Sequence, residues 1–259
     1  MSSIKTLLGT MRMLRDKDNG CPWDIEQTFE SLSPCVIEEA YEVTDAITRN
    51  DYENLKEELG DVLLQVIFHA EIANELNLFN FYEIVDSLNE KLIRRHPHVF
   101  DEASKPLSAE EQTRAWDEIK AQEKIDKDFH NIFDDIPKSL PPILKANKIQ
   151  KKAAKKGFDW RESIDVVKKV EEELKELKCE IKQNRKQNIQ EELGDLLFSI
   201  VNLSRHLDVD ASEAINQANH KFVKRFKFME GEISKENKEM ENLSAEEIEN
   251  FWVKIKANE

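Results

Sequence analysis

The sequence predicts an all-α protein made of two homologous helical bundles. The first observation is compositional: the 259 residues include only six glycines and few β-branched runs bounded by turn residues, with 39% hydrophobic and 35% charged side chains, a globular helical balance. The second is a repeat. GCPWD at 20–24 returns as GFDW at 157–160, EEAYE at 38–42 as EELKE at 172–176, and EELGDVLLQVIFHA at 57–70 as EELGDLLFSIVNLS at 191–204. KLIRR at 91–95 pairs with KFVKR at 221–225, and SAEEQTRAWDEIKAQE at 108–123 with SAEEIENFWVKIKANE at 244–259, nine of sixteen positions being identical. The order is kept and the spacing stays near 134 residues, so the chain reads as a duplication with units at 1–123 and 147–259.

Each unit reads as about four helices. Ile4, Leu7, Leu8, Met11 and Leu14 recur at helical spacing and predict an amphipathic helix over 4–15. Helices over 33–49, 51–76 and 81–95 follow, then a shorter piece around Trp116 introduced by the capping-box pattern of Ser108, Ala109, Glu110 and Glu111. Between the units, in 124–146, Pro137, Pro141 and Pro142 interrupt any continuous helix and predict a partly ordered linker.

Cys21, Cys35 and Cys179 are odd in number and lack C-x-x-C spacing, which fits reduced thiols in the cytoplasm better than disulfides or a zinc site. No signal-peptide core and no run of 18 apolar residues is present, so no membrane partner is expected. A formal charge of −15 argues against a general nucleic-acid binder, and an anionic ligand would need bound cations or a confined basic patch.

A lone acidic pair means little in a chain with 53 acidic residues. Here two pairs sit on successive helices. Glu39 and Glu42, beside Glu38, project from one side of the first, and Glu58 and Asp61 from one side of the second. Leu55, Leu59, Val62 and Val66 run alongside the second pair, which predicts carboxylates at the margin of a packed face. Sixteen residues separate Glu42 from Glu58, enough for an antiparallel return that gathers the four carboxylates. Glu173, Glu176, Glu192 and Asp195 repeat the pattern. Four facing carboxylates need protons or metal ions to neutralise them, and hard oxygen donors select Mg²⁺, Mn²⁺ or Ca²⁺, most commonly a Mg²⁺ that also grips phosphates. Gly60 and Gly194, inside these helices, are expected either to admit a close facing helix or ligand or to serve simple packing.

The cationic half of a phosphate site is available in Lys91, Arg94 and Arg95, and again in Lys221, Lys224, Arg225 and Lys227. The run Lys148, Lys151, Lys152, Lys155 and Lys156 equips the second unit better for a polyphosphate. Trp23 with Trp116, and Trp160 with Trp252, form two equivalent pairs that serve the core or stack on a base. His96 and His98 lack the further spaced ligands a zinc site needs.

Together GCPWD, the two E-E-x-x-E segments, both EELGD segments, RRHPHVF, DDIPKSLPP, KIQKKAAKKGFDW and KFVKRF resemble the MazG family of nucleoside triphosphate pyrophosphohydrolases in its tandem bacterial form, over essentially the whole chain. The resemblance implies an all-α NTP pyrophosphatase fold, a homodimer, dependence on Mg²⁺ with Mn²⁺ as a substitute, and hydrolysis of NTP or dNTP to monophosphate and pyrophosphate. By position it implies Glu173, Glu176, Glu192 and Asp195 as metal ligands, Glu172 as catalytic helper, Lys169, Lys221, Lys224 and Arg225 on the triphosphate, and Trp252 at the nucleoside. Glu39, Glu42, Glu58 and Asp61 would be the metal ligands of the first unit. Where the family often has a lysine before the second acidic pair, Asn188 stands here.

A di-iron bundle would require Glu-x-x-His, and no histidine in the chain has a glutamate three residues before it. A non-catalytic acidic interaction protein would scatter its acids without register, whereas these recur at fixed spacing.

Overall fold

The computed structural model describes residues 3–101, 131–236 and 238–257, together with 108, 111, 112, 115, 116, 118, 119 and 123. The chain divides into two compact units, Met1–Glu123 and Lys124–Glu259. The described residues form helices and connecting turns without a strand, and no helix among them is long and apolar enough to cross a membrane.

The first unit contains α1 (Ser3–Leu14), α2 (Pro22–Glu26), α3 (Phe29–Arg49), α4 (Tyr52–Glu75), α5 (Phe81–Arg95) and α6 (Pro97–Phe100). Helix α3 begins at Phe29, four residues before the expected start at position 33. Thr28 Oγ1 accepts the Ser31 N–H and Ser31 Oγ accepts the Thr28 N–H, closing a capping box, while Leu32 is 2% exposed with Phe29 packed beside it. Cap and core together outweigh the one backbone hydrogen bond that Pro34 removes. Helices α1, α3 and α4 meet in a core of Leu8, Met11, Leu32, Ile67, Phe68 and Ile72.

Arg15 fastens the GCPWD turn to this core. Its guanidinium pairs with Glu75 at 2.7 Å, donates to the carbonyls of Asp24 and Gln27, and lies 5.4 Å from the Phe68 ring centroid. Trp23 meets the same Phe68 edge-on at 6.4 Å. The motif therefore has a structural role in this unit. Most of the short helix expected around Trp116 lies outside the described residues.

The second unit contains α7 (Pro142–Lys155), α8 (Ser163–Gln183), α9 (Lys186–His206), α10 (Ala211–Lys235), a 3₁₀ turn at Met240–Asn242, and α11 (Ala245–Ala257). Pro142 occupies the first turn of α7, where a missing N–H costs nothing. The 146/147 boundary thus falls inside a helix. Lys152 reaches back to Asp135 at 2.5 Å and to the Ile132 carbonyl at 2.9 Å, tying the preceding segment to α7 and giving this lysine a bracing role. Residues 124–130 of the expected linker lie outside the described residues. Helices α10 and α11 close over Met229, Ile233 and Ile255, with Phe226, Phe251 and Trp252 around them.

One local device sets the geometry of both units. Asn50 and Asn184 end α3 and α8 in the left-handed region, at φ 56° and 54°, and two-residue connections send α4 and α9 back antiparallel. Asp51 then caps α4 by accepting the Asn54 N–H at 3.1 Å, whereas Arg185 at the equivalent place pairs with Glu180. A β-branched residue tolerates this backbone poorly. Asn184→Val is expected to lower stability by about 1–2 kcal/mol in denaturant unfolding, and Asn184→Gly by much less.

One packing expectation is corrected, and one of the alternatives for the glycines is narrowed. Leu59 is 52% exposed and Val66 39%, because the buried face of α4 runs through Ile67, Phe68, Ala70 and Ile72 toward α1 and α3. Among the described residues, a Cβ built on Gly60 or Gly194 meets nothing within 4 Å, so no helix of the chain approaches closely at either glycine.

Candidate metal centre

The α8–α9 hairpin gathers Glu173, Glu176 and Glu192 so that one carboxylate oxygen of each lies within 4.8 Å of the others. The α3–α4 hairpin does the same for Glu39, Glu58 and Asp61. The short turn causes this, since it sets the acidic turn near the end of one helix against the acidic turn near the start of the next. Asp195 and Glu42, expected in the same sets, lie outside the two trios. Asp195 acts on Glu192 through its charge, and Glu42 shares a hydrogen bond with Glu39.

Desolvation, and then repulsion from the neighbouring carboxylates, favours the protonated form of one glutamate in each hairpin. Desolvation, followed by the charges of Glu176, Glu173, Asp195 and Glu180, raises the pKa of Glu192. Glu42 is raised in the same direction by desolvation and then by Glu58, Glu39 and Glu38. Such groups bind protons more tightly folded than unfolded, so without metal their contribution to stability falls as pH rises through and above the ordinary value of 4.5. In EDTA, the stability contributed by this cluster is expected to decline as pH rises above the ordinary carboxylate value, and Glu192→Gln to flatten the slope in thermal melts at several pH values.

The two centres differ in how they are held. Lys169, one turn before the acidic pair, places its ammonium 2.7 Å from Glu173 and 2.8 Å from Glu172, and these hydrogen bonds raise its pKa. Glu173 is 5% exposed, so the pair sits at a buried edge. Glu172 is exposed and stands outside the trio, joined to it through Lys169. At the matching place in the first unit stands Cys35, which brings no ammonium. There Gln65 Nε2 donates to Glu39 at 3.4 Å and Asn54 Nδ2 to Glu58 at 2.5 Å. Asn54 and Asn188 are equivalent in the repeat, so the position expected to carry a lysine is occupied in the first unit by a neutral donor to the second glutamate.

Lys221 and Lys224 lie exposed on α10 and Arg225 is half-buried there, on a helix that packs against α7, α9 and α11. Phe222 of the same turn lies 5.3 Å from Trp252, centroid to centroid, so Trp252 is half-buried beside the basic turn. His96 and His98 lie 5.8 Å apart, and His96 meets Trp116 at 5.1 Å. Among the described residues they form part of no cluster of three metal-binding groups, and the arrangement is an aromatic one.

Sequence reading missed the braces. Asp159 of GFDW takes Arg205 bidentately and His206 at 2.9 Å, which holds its carboxyl down at about 2 and pins the α7–α8 loop to the end of α9. Partners 46 and 47 residues away leave no local signal, although an aspartate between two aromatic residues was visible.

The donor set fits a hard divalent cation: it is all oxygen, closely spaced, and short of neutralising charge. A nucleoside triphosphate pyrophosphohydrolase of Escherichia coli (strain K12) is 45% identical over 261 aligned residues, covering 100% of this chain and 99% of that protein. The nucleoside triphosphate pyrophosphohydrolase/pyrophosphatase MazG of Thermotoga maritima is 47% identical over 256, covering 99% of this chain and 96% of that one. A solved mazG-related protein from Thermotoga maritima is 30% identical with a TM-score of 0.39, covering 46% of this chain and 98% of that one. The MazG nucleotide pyrophosphohydrolase domain matches residues 27–100 and again 161–229, stretches that contain both acidic hairpins. This chain is therefore an enzyme of the MazG nucleotide pyrophosphohydrolase family, with the family's domain present twice.

Proposed function

We propose that the chain hydrolyses NTPs or dNTPs across the α–β phosphoanhydride, adding one water to yield the nucleoside monophosphate and pyrophosphate, in the service of nucleotide-pool housecleaning in the cytoplasm. The observation that carries this is the carboxylate trio on the α8–α9 hairpin, repeated on α3–α4, in a chain closely similar to proteins named for that reaction.

Glu173, Glu176 and Glu192, with Asp195, would hold Mg²⁺ or Mn²⁺ in the second unit, and Glu39, Glu58 and Asp61, with Glu42, in the first. A divalent ion there supplies charge neutralisation for phosphate oxygens and a water of lowered pKa. The chain's own residues supply the rest. Lys221, Lys224 and Arg225 bind the polyphosphate as charge-assisted donors, and Trp252 stacks on the nucleoside. Lys169 leaves Glu173 for a phosphate oxygen, which frees Glu172 to accept the proton of the attacking water.

A homodimer completes the reading. Along α7, α9 and α10 runs an apolar groove of about 630 Å³ lined by Pro142, Ala146, Leu197, Phe198, Ile215 and Ala218. Leu197 is 56% exposed and Ile215 52%, and a second copy laid here would remove that surface from water.

Product analysis across a panel of NTPs and dNTPs tests the proposal. Monophosphate and pyrophosphate formed with Mg²⁺ and lost with EDTA are expected. Release of orthophosphate, or turnover undiminished by EDTA, would overturn it.

A further inference from the structure

The last turn of α5 carries Arg94 and Arg95, whose guanidinium groups converge on one carboxylate. Arg94 Nε and Nη2 donate to Glu123 Oε1 at 3.1 and 2.8 Å, while Arg95 Nε donates to Oε1 at 3.2 Å and Nη2 to Oε2 at 2.5 Å. Neighbouring residues on a helix point in different directions, so gathering both side chains on one acceptor needs a strongly attracting anion at that spot. Two planar forks around one small oxyanion is also the geometry in which arginines hold phosphate. The Glu123 side chain is only 20% exposed and its carboxyl is held down at about 2, so it stays ionised at any physiological pH. Two cations against one carboxylate leave a net charge of about +1, which favours a more highly charged anion in the same place.

The surroundings are built rather than casual. Trp116 Nε1 donates to the Arg95 carbonyl at 2.7 Å, fixing the indole beside the fork, and the His96 ring lies 5.1 Å from that indole. In the internal repeat Arg94 and Arg95 occupy the places of Lys224 and Arg225, and Trp116 that of Trp252.

We propose that Arg94 and Arg95 form a phosphate-binding fork in the first unit, held shut by the Glu123 carboxylate as an internal competitor that a nucleotide's polyphosphate must displace. This deepens the proposed function, since it rests on the basic turn of each unit meeting phosphate. Glu123 thereby sets the concentration at which the first unit takes up ligand.

Inorganic pyrophosphate in EDTA is the probe, so that neither metal nor turnover enters the measurement. The chain to titrate carries Lys221→Ala, Lys224→Ala and Arg225→Ala, which silence the basic turn of the second unit. Adding Glu123→Gln is expected to tighten pyrophosphate binding about tenfold or more by calorimetry, and adding Arg94→Ala and Arg95→Ala to that variant to abolish the gain. A folded Glu123→Gln chain, judged by circular dichroism and melting, whose affinity is unchanged or weaker would overturn the proposal. Should that variant fail to fold, Glu123→Asp, which keeps the charge but shortens its reach, decides it: tighter binding supports the fork and unchanged binding removes it. Gain of pyrophosphate binding in the variant, alongside an unsubstituted chain that does not hydrolyse NTPs with Mg²⁺, would keep the fork while refuting the catalytic reading.

Discussion

Replacing Glu173 by glutamine is expected to lower triphosphate turnover by more than about 100-fold, the upper end of what losing only a partner of a metal ligand costs. Glu173 is the most buried member of its trio and the one Lys169 grips, so no water can take over its charge. Steady-state assays with Mg²⁺ in excess, alongside a melting curve showing that the variant is folded, check this. Glu39→Gln, its counterpart, is expected to cost less. The first unit has Cys35 where the second has Lys169, and its Arg94 and Arg95 are already engaged by Glu123. Equal losses from the two variants would remove this division of labour.

The largest stability effect is expected at Ile67, which is fully buried at the centre of the first unit among Leu8, Met11, Leu32, Phe68 and Ile72. Ile67→Ala removes buried methylenes from a place where helices α1, α3 and α4 all meet, and about 2–5 kcal/mol is the usual cost. Denaturant unfolding followed by circular dichroism should show the loss as a lower midpoint for the transition of the first unit. A change below about 1 kcal/mol would mean that the core closes over the gap.

Much of this architecture was legible because local chemistry set it. The amphipathic spacing of Ile4, Leu8 and Met11 and the acidic pairs at helical spacing are written in windows of a few residues. The carboxylates meet because a two-residue turn built on Asn50 or Asn184 fixes the register, and the sixteen-residue separation already implied such a return. What escaped depended on partners far away in the chain. The second helix was expected from position 33, and the Thr28 cap with the core contact of Leu32 starts it four residues earlier. Leu59 and Val66 read as packed, because periodicity identifies an apolar stripe but not whether the same chain covers it. The ion pairs of Arg15 with Glu75, Arg205 with Asp159 and Arg95 with Glu123 span 60, 46 and 28 residues, and no motif announced them.

The central claim is that the duplicated hairpins are duplicated metal sites, and counting bound ions tests it most directly. Mn²⁺ titration followed by electron paramagnetic resonance should show Glu173→Gln with Glu192→Gln losing the ions of the second unit only. Glu39→Gln with Glu58→Gln should lose those of the first unit only. Ion binding left unchanged by both double variants would contradict the account.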